Sequence, residues 1–369
     1  MAEVLKVIGL MSGTSLDGID AALLETDGEA VAVPGPALTR PYDPGTRAVL
    51  RAAIEEARGM GEGGPLPDSI RAAEIRATEA HAEAVAALLA EAGLEPRDVA
   101  LIGFHGQTIL HRPEQRLTWQ IGDGAALARA TGISVVSDFR SADVLAGGEG
   151  APLVPLYHAA LLGAAAELTP PVAVVNIGGV ANVTYVGRGA ILAFDTGPGN
   201  APIDDWAHIH TGRPVDEGGV LARAGRIDAA ALDDMLAHAF FDRVPPKSLD
   251  RMDFGSEAVA HLSPADGAAT LTAFTAASIA RAREHFPEAA NAWIVCGGGR
   301  HNPVLMEALR ARVNAPVLSA EDAGWRGDFL EAEAFAYLAV RSRRGLALSL
   351  PTTTGVAKPM TGGKFHWAK

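Results

Sequence analysis

Apolar positions along this chain fall into short runs of strand length and longer stretches at helical spacing, separated by glycine-, proline- and Asx-rich breaks. Apolar runs at 4–8 and 19–24 flank a Gly/Ser/Thr/Asp cluster at 9–20, which predicts a β-hairpin. A loop is expected at 34–45, a helix at 46–58 and a plain break at 59–67. The stretch 68–92 keeps apolar residues near helical spacing and ends at Gly93, a good C-cap. Short buried strands are expected at 99–104, delivering His105-Gly-Gln-Thr, and at 133–136, ending in Ser-Asp-Phe-Arg140. The Gly/Pro-rich segment 147–155 reads as the crossing between domains. Strands follow at 172–177, 182–186 and 191–194, the first running into Gly178-Gly179 and the last into Asp195-Thr-Gly-Pro-Gly-Asn200. A mostly helical region, clearest at 271–283, precedes a strand at 292–296 that opens onto Gly297-Gly298-Gly299. Helices close the chain, one from near Pro303 and one over 329–341.

Strands alternating with helices, and several strand–Gly–strand hairpins, predict α/β domains with mixed sheets. Residues 7–24 and 174–186 both read as strand, glycine turn, strand, a faint sign of a duplicated fold. At 369 residues the chain suits two domains, expected at 1–135 and 136–369, with the final segment packing back on the first. No run of eighteen apolar residues predicts a transmembrane helix, and the start of the chain lacks the form of a signal peptide. One cysteine, Cys296, excludes an internal disulfide framework and fits a cytoplasmic location. A net charge of −13 argues against nucleic acid as the main partner, though not against a small anion held by a local loop.

The 9–20 loop carries the first candidate chemistry. Gly13 and Gly18 allow close backbone approach, while Ser12, Thr14 and Ser15 supply hydroxyls, a set suited to phosphate oxygens. An ordinary glycine-rich turn explains the segment equally well when it is taken alone, and no P-loop pattern occurs in the chain. With Gly178-Gly179 and Gly297–Gly299 there are three such turns after apolar strands. In this order they resemble the nucleotide site of the actin/hexokinase-like ATPases, where two hairpins grip phosphates and a third turn passes the adenosine. Other features read blandly. His208 and His210 lack a metal-ligand cluster, Cys296 reads as core, Ser12 and Ser15 form no nucleophile elbow, and the arginines at 341–344 read as the basic end of a helix.

The resemblance sharpens over whole motifs. Gly9-Leu-Met-Ser-Gly-Thr-Ser-Leu-Asp-Gly-Ile-Asp20, His105-Gly-Gln-Thr, Gln120-Ile-Gly-Asp123, Asp138-Phe-Arg140, Gly148-Glu-Gly-Ala-Pro-Leu-Val-Pro155, Asn176-Ile-Gly-Gly-Val-Ala-Asn182, Phe194-Asp-Thr-Gly-Pro-Gly-Asn200, Pro245-Pro-Lys-Ser248, Cys296-Gly-Gly-Gly299 and Glu331-Ala-x-x-Phe-Ala336 look like the anhydro-N-acetylmuramic acid kinases, in the family's order. The resemblance implies a two-domain actin-like ATPase (ribonuclease H-like) α/β fold with mixed sheets and an interdomain cleft that closes on its ligands. It implies a cell-wall recycling kinase using ATP and Mg²⁺ to open 1,6-anhydro-N-acetylmuramic acid with water and phosphorylate O6; a homodimer is one assembly open to it. The residues themselves leave the oligomeric state open.

By the same resemblance Asp195 is the base for the water, and Glu331 helps to orient it. Nucleotide would contact Gly13, Thr14, Ser15, Leu16, Asp17, Gly18, Ile19, Asp20, Gly178, Gly179, Gly297, Gly298 and Asn302. His105, Gln107 and Arg140 are the sugar candidates, the last for a lactyl carboxylate. Glu333 is expected to be solvated. Met11 stands where the wider superfamily has an aspartate, so the metal ligands are left open, with Asp17 or Asp195 through water as substitutes. Two rivals are another sugar or acetate kinase on this fold and a non-catalytic sensor or filament. The Asp195 and His105 turns speak against the first, and the retained Asp195 against the second.

Overall fold

In the first hairpin, β1 (Leu5–Ser12) and β2 (Gly18–Thr26) pair antiparallel with Met11 opposite Asp20. The structure is a computed structural model and describes residues 2–13, 15–60, 67–165, 167–249 and 253–368. Thr14 and most of the break expected at 59–67 lie outside the described residues. The hairpin continues into β3 (Ala32–Pro41), which takes in Pro34, Gly35 and Pro36 and most of the stretch 34–45 expected as a loop. Those residues are tolerated because β3 is the outer strand of its sheet, where a proline costs no ladder bond.

Next come β4 (Leu101–Arg112), β5 (Leu117–Ile121) and β6 (Val135–Ser137). The first sheet runs β12-β6-β4-β1-β2-β3, with β5 on β4 and β12 (Lys364–His366) antiparallel to β6. Strands β1, β4 and β6 are mutually parallel. The second sheet comprises β7 (Val172–Ile177), β8 (Val180–Val186), β9 (Ile191–Pro198), β10 (Ala292–Cys296) and β11 (Val317–Ser319), in the order β11-β10-β7-β8-β9. Here β7–β9 form an antiparallel meander, and β10 and β11 join in parallel. Each sheet is therefore a three-strand meander whose first strand pairs in parallel with the fourth, and the fourth in parallel with one further strand, β6 in the first sheet and β11 in the second. The duplicated α/β fold with mixed sheets that the faint repeat hinted at is present twice, in the ribonuclease H-like order.

The chain divides into two compact units, Met1–Ala164 with Phe329–Lys369, and Ala165–Asp328. The first unit thus runs well past 135, and the segment 147–155 lies inside it instead of crossing out. The reason is a buried carboxylate: Asp143, 2% exposed, accepts from Gly150 N at 2.7 Å and from the hydroxyls of Ser349 and Thr354. Thr354 O in turn accepts from Glu149 N at 2.7 Å.

Two strands outrun their expected lengths. β4 continues through His105–Thr108, with Gly106 at φ +74° and a register shift beside it, so these residues lie within a strand and not after one. β9 likewise carries Asp195 inside the strand, opposite Asn182. The helix Asp68–Ala92 ends at left-handed Gly93 as the sequence predicts, and Pro44–Arg58 begins at Asp43, whose side chain caps Thr46 N.

The helix Leu330–Arg343 is buried almost around its whole circumference against the first sheet. It fits because Gly9 of β1 and Gly103 of β4, register partners, have no side chain. A Cβ at Gly9 would stand 1.8 Å from Ala332 O, and one at Gly103 2.0 Å from Phe335 O. This burial overturns the expectation for Glu333: it is 1% exposed and accepts a 2.6 Å hydrogen bond from Tyr157 Oη. Arg341 and Arg344 do more than match a helix dipole, donating to Gly28 O and Asp27 O at 2.8 and 2.6 Å.

Gly103→Ala must push this helix off the sheet. We expect a loss of about 1–3 kcal/mol or more in urea unfolding at unchanged m-value; an unaltered midpoint would contradict the packing described.

Candidate active site

In the first unit the turn after β1 closes with Leu16 N donating to Gly13 O at 3.2 Å. Its polar groups are divided between scaffold and surface. Ser12, 1% exposed, donates to Gln107 Oε1 at 2.6 Å and accepts from Tyr42 Oη at 2.8 Å, so its hydroxyl is taken. Leu16 and Ile19 are core side chains, leaving only their backbone to face a ligand. The place beside Gly18 is filled by Arg40 O, 2.5 Å from where a Cβ would stand, so this glycine serves packing against β3. Gly13 by contrast has only Ser15 Oγ within 4 Å of a Cβ position, and Ser15 is exposed. Asp17 is exposed and ion-paired with Arg47 at 3.6 Å. Asp20 sits across the hairpin from Met11, with Thr39 Oγ1 donating to it at 2.6 Å.

The sugar candidates are placed differently from one another. Gln107 is fully buried, and its amide donates to Gly13 O at 3.2 Å while accepting from Ser12. These bonds tie Gln107 to the turn after β1, and its amide also donates to Thr108 O at 3.3 Å. His105, 4% exposed, has Nδ1 2.8 Å from Gly106 O, and Nε2 accepts from Arg140 Nε and Nη2 at 3.1 and 3.0 Å. Burial, with the Arg140 charge beside it, holds His105 well below the ordinary imidazole range. A neutral ring is the form that can accept from a guanidinium. Arg140 also donates to Gly150 O at 2.7 Å and remains partly exposed.

Glu331, in the first turn of the helix Leu330–Arg343, has its pKa raised by burial; Arg140 lowers it in part and Asp20 adds to the rise. Asp20, Arg140 and Glu331 thus form one electrostatic group in the first unit. The unit also holds a cavity of about 330 Å³ at the carboxyl end of β6, lined by His105, Gln120, Asp123, Asp138, Lys364 and His366 among others, and linked to that group through the His105–Arg140 bond. Its volume lies at the low end for ligand pockets, about 300–1,000 Å³.

In the second unit the structure brings the other glycine turns together. Gly199 N and Asn200 N donate to Gly179 O and Gly178 O at 2.9 and 2.7 Å, and Gly297, at φ +74°, would press a Cβ against Asn176 Oδ1 at 2.3 Å. The outer side of Gly298 has only Asn200 Nδ2 near, at 3.6 Å. Asn302 caps the helix Pro303–Arg310, its Oδ1 accepting from Val304 N and Leu305 N, so that side chain is committed to the fold. Sequence reasoning missed Arg300, a buried guanidinium that holds Gly297 O at 2.9 Å and pairs with Glu321 and Asp328.

Asp195 is partly exposed. Its N donates to Lys247 O at 3.0 Å, and its Oδ2 accepts from Leu249 N at 2.9 Å. The Pro245-Pro-Lys-Ser248 motif had no assigned role; it is the segment that grips this aspartate. His208 and His210 are exposed, and among the described residues no cluster of three or more His, Cys, Asp or Glu could hold a metal. Among them, too, no helix is long and apolar enough to cross a membrane, and Cys296 is buried.

The family model of anhydro-N-acetylmuramic acid kinase matches residues 5–368. The chain belongs to this family. It is 55% identical over 362 residues to the anhydro-N-acetylmuramic acid kinase of Rhodospirillum rubrum, covering 97% of this chain and 93% of that one. To that of Methylobacterium nodulans it is 54% identical over 370 residues, covering 97% and 99%. Among solved structures it is similar to the (R)-2-hydroxyglutaryl-CoA dehydratase component A of Acidaminococcus fermentans, at 13% identity and a TM-score of 0.49, over 92% of this chain and 99% of that one. The activity is that of an anhydro-N-acetylmuramic acid kinase, and its setting is peptidoglycan recycling.

In such a kinase His105 should stay a neutral acceptor. Its folded pKa lies below the ordinary 6.5, so as pH falls below 6.5 the unfolded chain takes the proton first and this residue's contribution to stability is lost. Nitrogen NMR should find the ring uncharged at pH 6; a protonated ring there would undo the Arg140 assignment.

Proposed function

We propose that Asp195 is the general base of a coupled hydrolysis and phosphoryl transfer. Asp195 takes a proton from a water, whose oxygen bonds to the anomeric carbon of 1,6-anhydro-N-acetylmuramic acid. The bond from that carbon to O6 breaks, and the freed O6 takes the γ-phosphoryl of ATP, releasing ADP and N-acetylmuramic acid 6-phosphate. The observation that carries this reading is the carboxylate itself, held by Leu249 N at 2.9 Å and by its own backbone bond to Lys247, yet still partly exposed. A fixed, accessible carboxylate is what proton abstraction from a positioned water asks for.

The first unit supplies the sugar-facing charges. Arg140, held by His105, keeps guanidinium N–H groups for the substrate's lactyl carboxylate. Glu331 is the second carboxyl, and its raised pKa suits a group that hydrogen-bonds a hydroxyl or the water. The cavity lined by Gln120, Asp123 and Asp138 has the polarity for sugar hydroxyls. His105 and Gln107 act from behind, as positioning residues. Nucleotide phosphates meet the backbone at 13–18, and adenosine passes the open side of Gly298.

Magnesium fits the residues present. Asp20 offers a carboxylate across the hairpin from Met11, on the face where the superfamily aspartate would stand. Asp17 lies exposed on the turn, 3.6 Å from Arg47, a pair too weak to hold it from a metal. Bound at ATP oxygens and waters with Asp20 beside it, Mg²⁺ would neutralise phosphate charge. The reading sets the enzyme in the cytoplasm, where ATP is made, in keeping with its single cysteine.

Mass spectrometry of the sugar after incubation with ATP and Mg²⁺ tests this. The product should be heavier by one phosphoryl group and one water, and Asp195→Asn should slow its formation by about 10²–10⁴-fold. Phosphorylation without added water would remove the hydrolytic step.

A further inference from the structure

Lys247 is 5% exposed, and its ammonium donates to Phe240 O at 3.2 Å and lies 4.5 Å from the Phe240 ring centre and 6.0 Å from that of Phe194. Phe194 is the strand neighbour of Asp195, so the two point to opposite faces of β9. The lysine side chain is therefore seated on the Phe194 face while its backbone carbonyl binds Asp195 N along the outer edge of β9, and two residues on Leu249 N binds the carboxylate. The void around the ammonium, lined by Phe194, Thr196, Phe241, Ser278, Arg281 and His285 among others, amounts to about 10 Å³. That is room for about one water and for no ligand, so Lys247 is not itself a binding group.

We propose that Lys247 is a positioning residue for Asp195: its buried ammonium pins the segment 245–249, and that segment fixes the angle of the carboxylate. The inference rests on the reading of Asp195 as the base. A neutral side chain would pack in the same place at less cost. Burial first, then Arg281 and Arg243, push the Lys247 pKa down to about 8, with Glu284 and Asp242 opposing. His285, against the same void, is itself lowered by burial first, with Lys247 contributing, and is uncharged in this range. These are the charged and titratable groups around the ammonium.

Two consequences have opposite signs. Between pH about 8 and 10.5 the unfolded lysine holds a proton that the folded one has lost, so this group makes the protein more stable as pH rises. Over the same rise the pin loses its charge, so kcat falls. A merely structural role would make activity follow stability.

The experiment compares wild type, Lys247→Met, Lys247→Arg and Asp195→Asn, measuring kcat, KM and unfolding midpoints from pH 6.5 to 10. The wild type should lose kcat with an apparent pKa near 8, at nearly constant KM. Lys247→Met should show roughly 10–100-fold lower kcat and no such limb, and Lys247→Arg should regain rate and move the limb upward. Wild-type kcat in Lys247→Met, or the same limb in it, overturns the proposal. If neither lysine variant folds, a wild-type profile flat from pH 7 to 9 overturns it and a limb near 8 sustains it. An Asp195→Asn enzyme with full activity overturns the base assignment; an inactive one beside an unaffected Lys247→Met overturns only the positioning role.

Discussion

The first unit depends on two missing side chains. Gly9 and Gly103, paired across parallel strands, let the helix Leu330–Arg343 lie with its backbone against the sheet, closer than any Cβ would allow. Everything polar around the site inherits its position from that contact. Glu331 lies in the first turn of this helix, and Phe335 on it packs against His105 with tilted rings 4.6 Å between centres. His105 holds Arg140, and Arg140 faces Glu331 electrostatically. A shift of the helix by a few tenths of an ångström would be felt along this whole chain, because packed interiors transmit displacement instead of absorbing it.

A second constraint is hydrogen-bond saturation. The motif residues that look most like substrate ligands are in several cases spoken for: Gln107 and Ser12 by each other and by the turn, Asn302 by a helix end, His105 by its own strand and by Arg140. Buried polar groups must be paired or they cost about 1–3 kcal/mol each. Their identity is therefore as tightly required as that of a catalytic group, and a motif carries both kinds without distinguishing them. In the second unit the 245–249 segment and Arg300 are likewise spent on holding backbone and the side chain of Asp195, the proposed base.

Local chemistry was legible. The strands at 172–177 and 292–296, the helix 68–92 with its glycine stop, and the hairpin around Gly13 follow from residues within a few positions of one another. So did the kinase family, because a long run of ordered motifs is a property of the string. The reach of β3 and β4 was not, since a Pro-rich segment becomes a strand only beside an edge that accepts it. Nor was the burial of Glu333, which has the same sequence surroundings as an exposed helix glutamate and differs through Tyr157, 176 residues away.

By itself, then, the sequence determined most element types, several turns and the class of chemistry, because each rests on backbone preference or on residue identity. Tertiary structure alone decided which side chains were left over for that chemistry. Asp143 draws 147–155 into the first unit, and Lys247 turns an unassigned motif into the grip on Asp195. Such assignments depend on which distant groups compete for each donor and acceptor, and that competition is set only when the chain has folded.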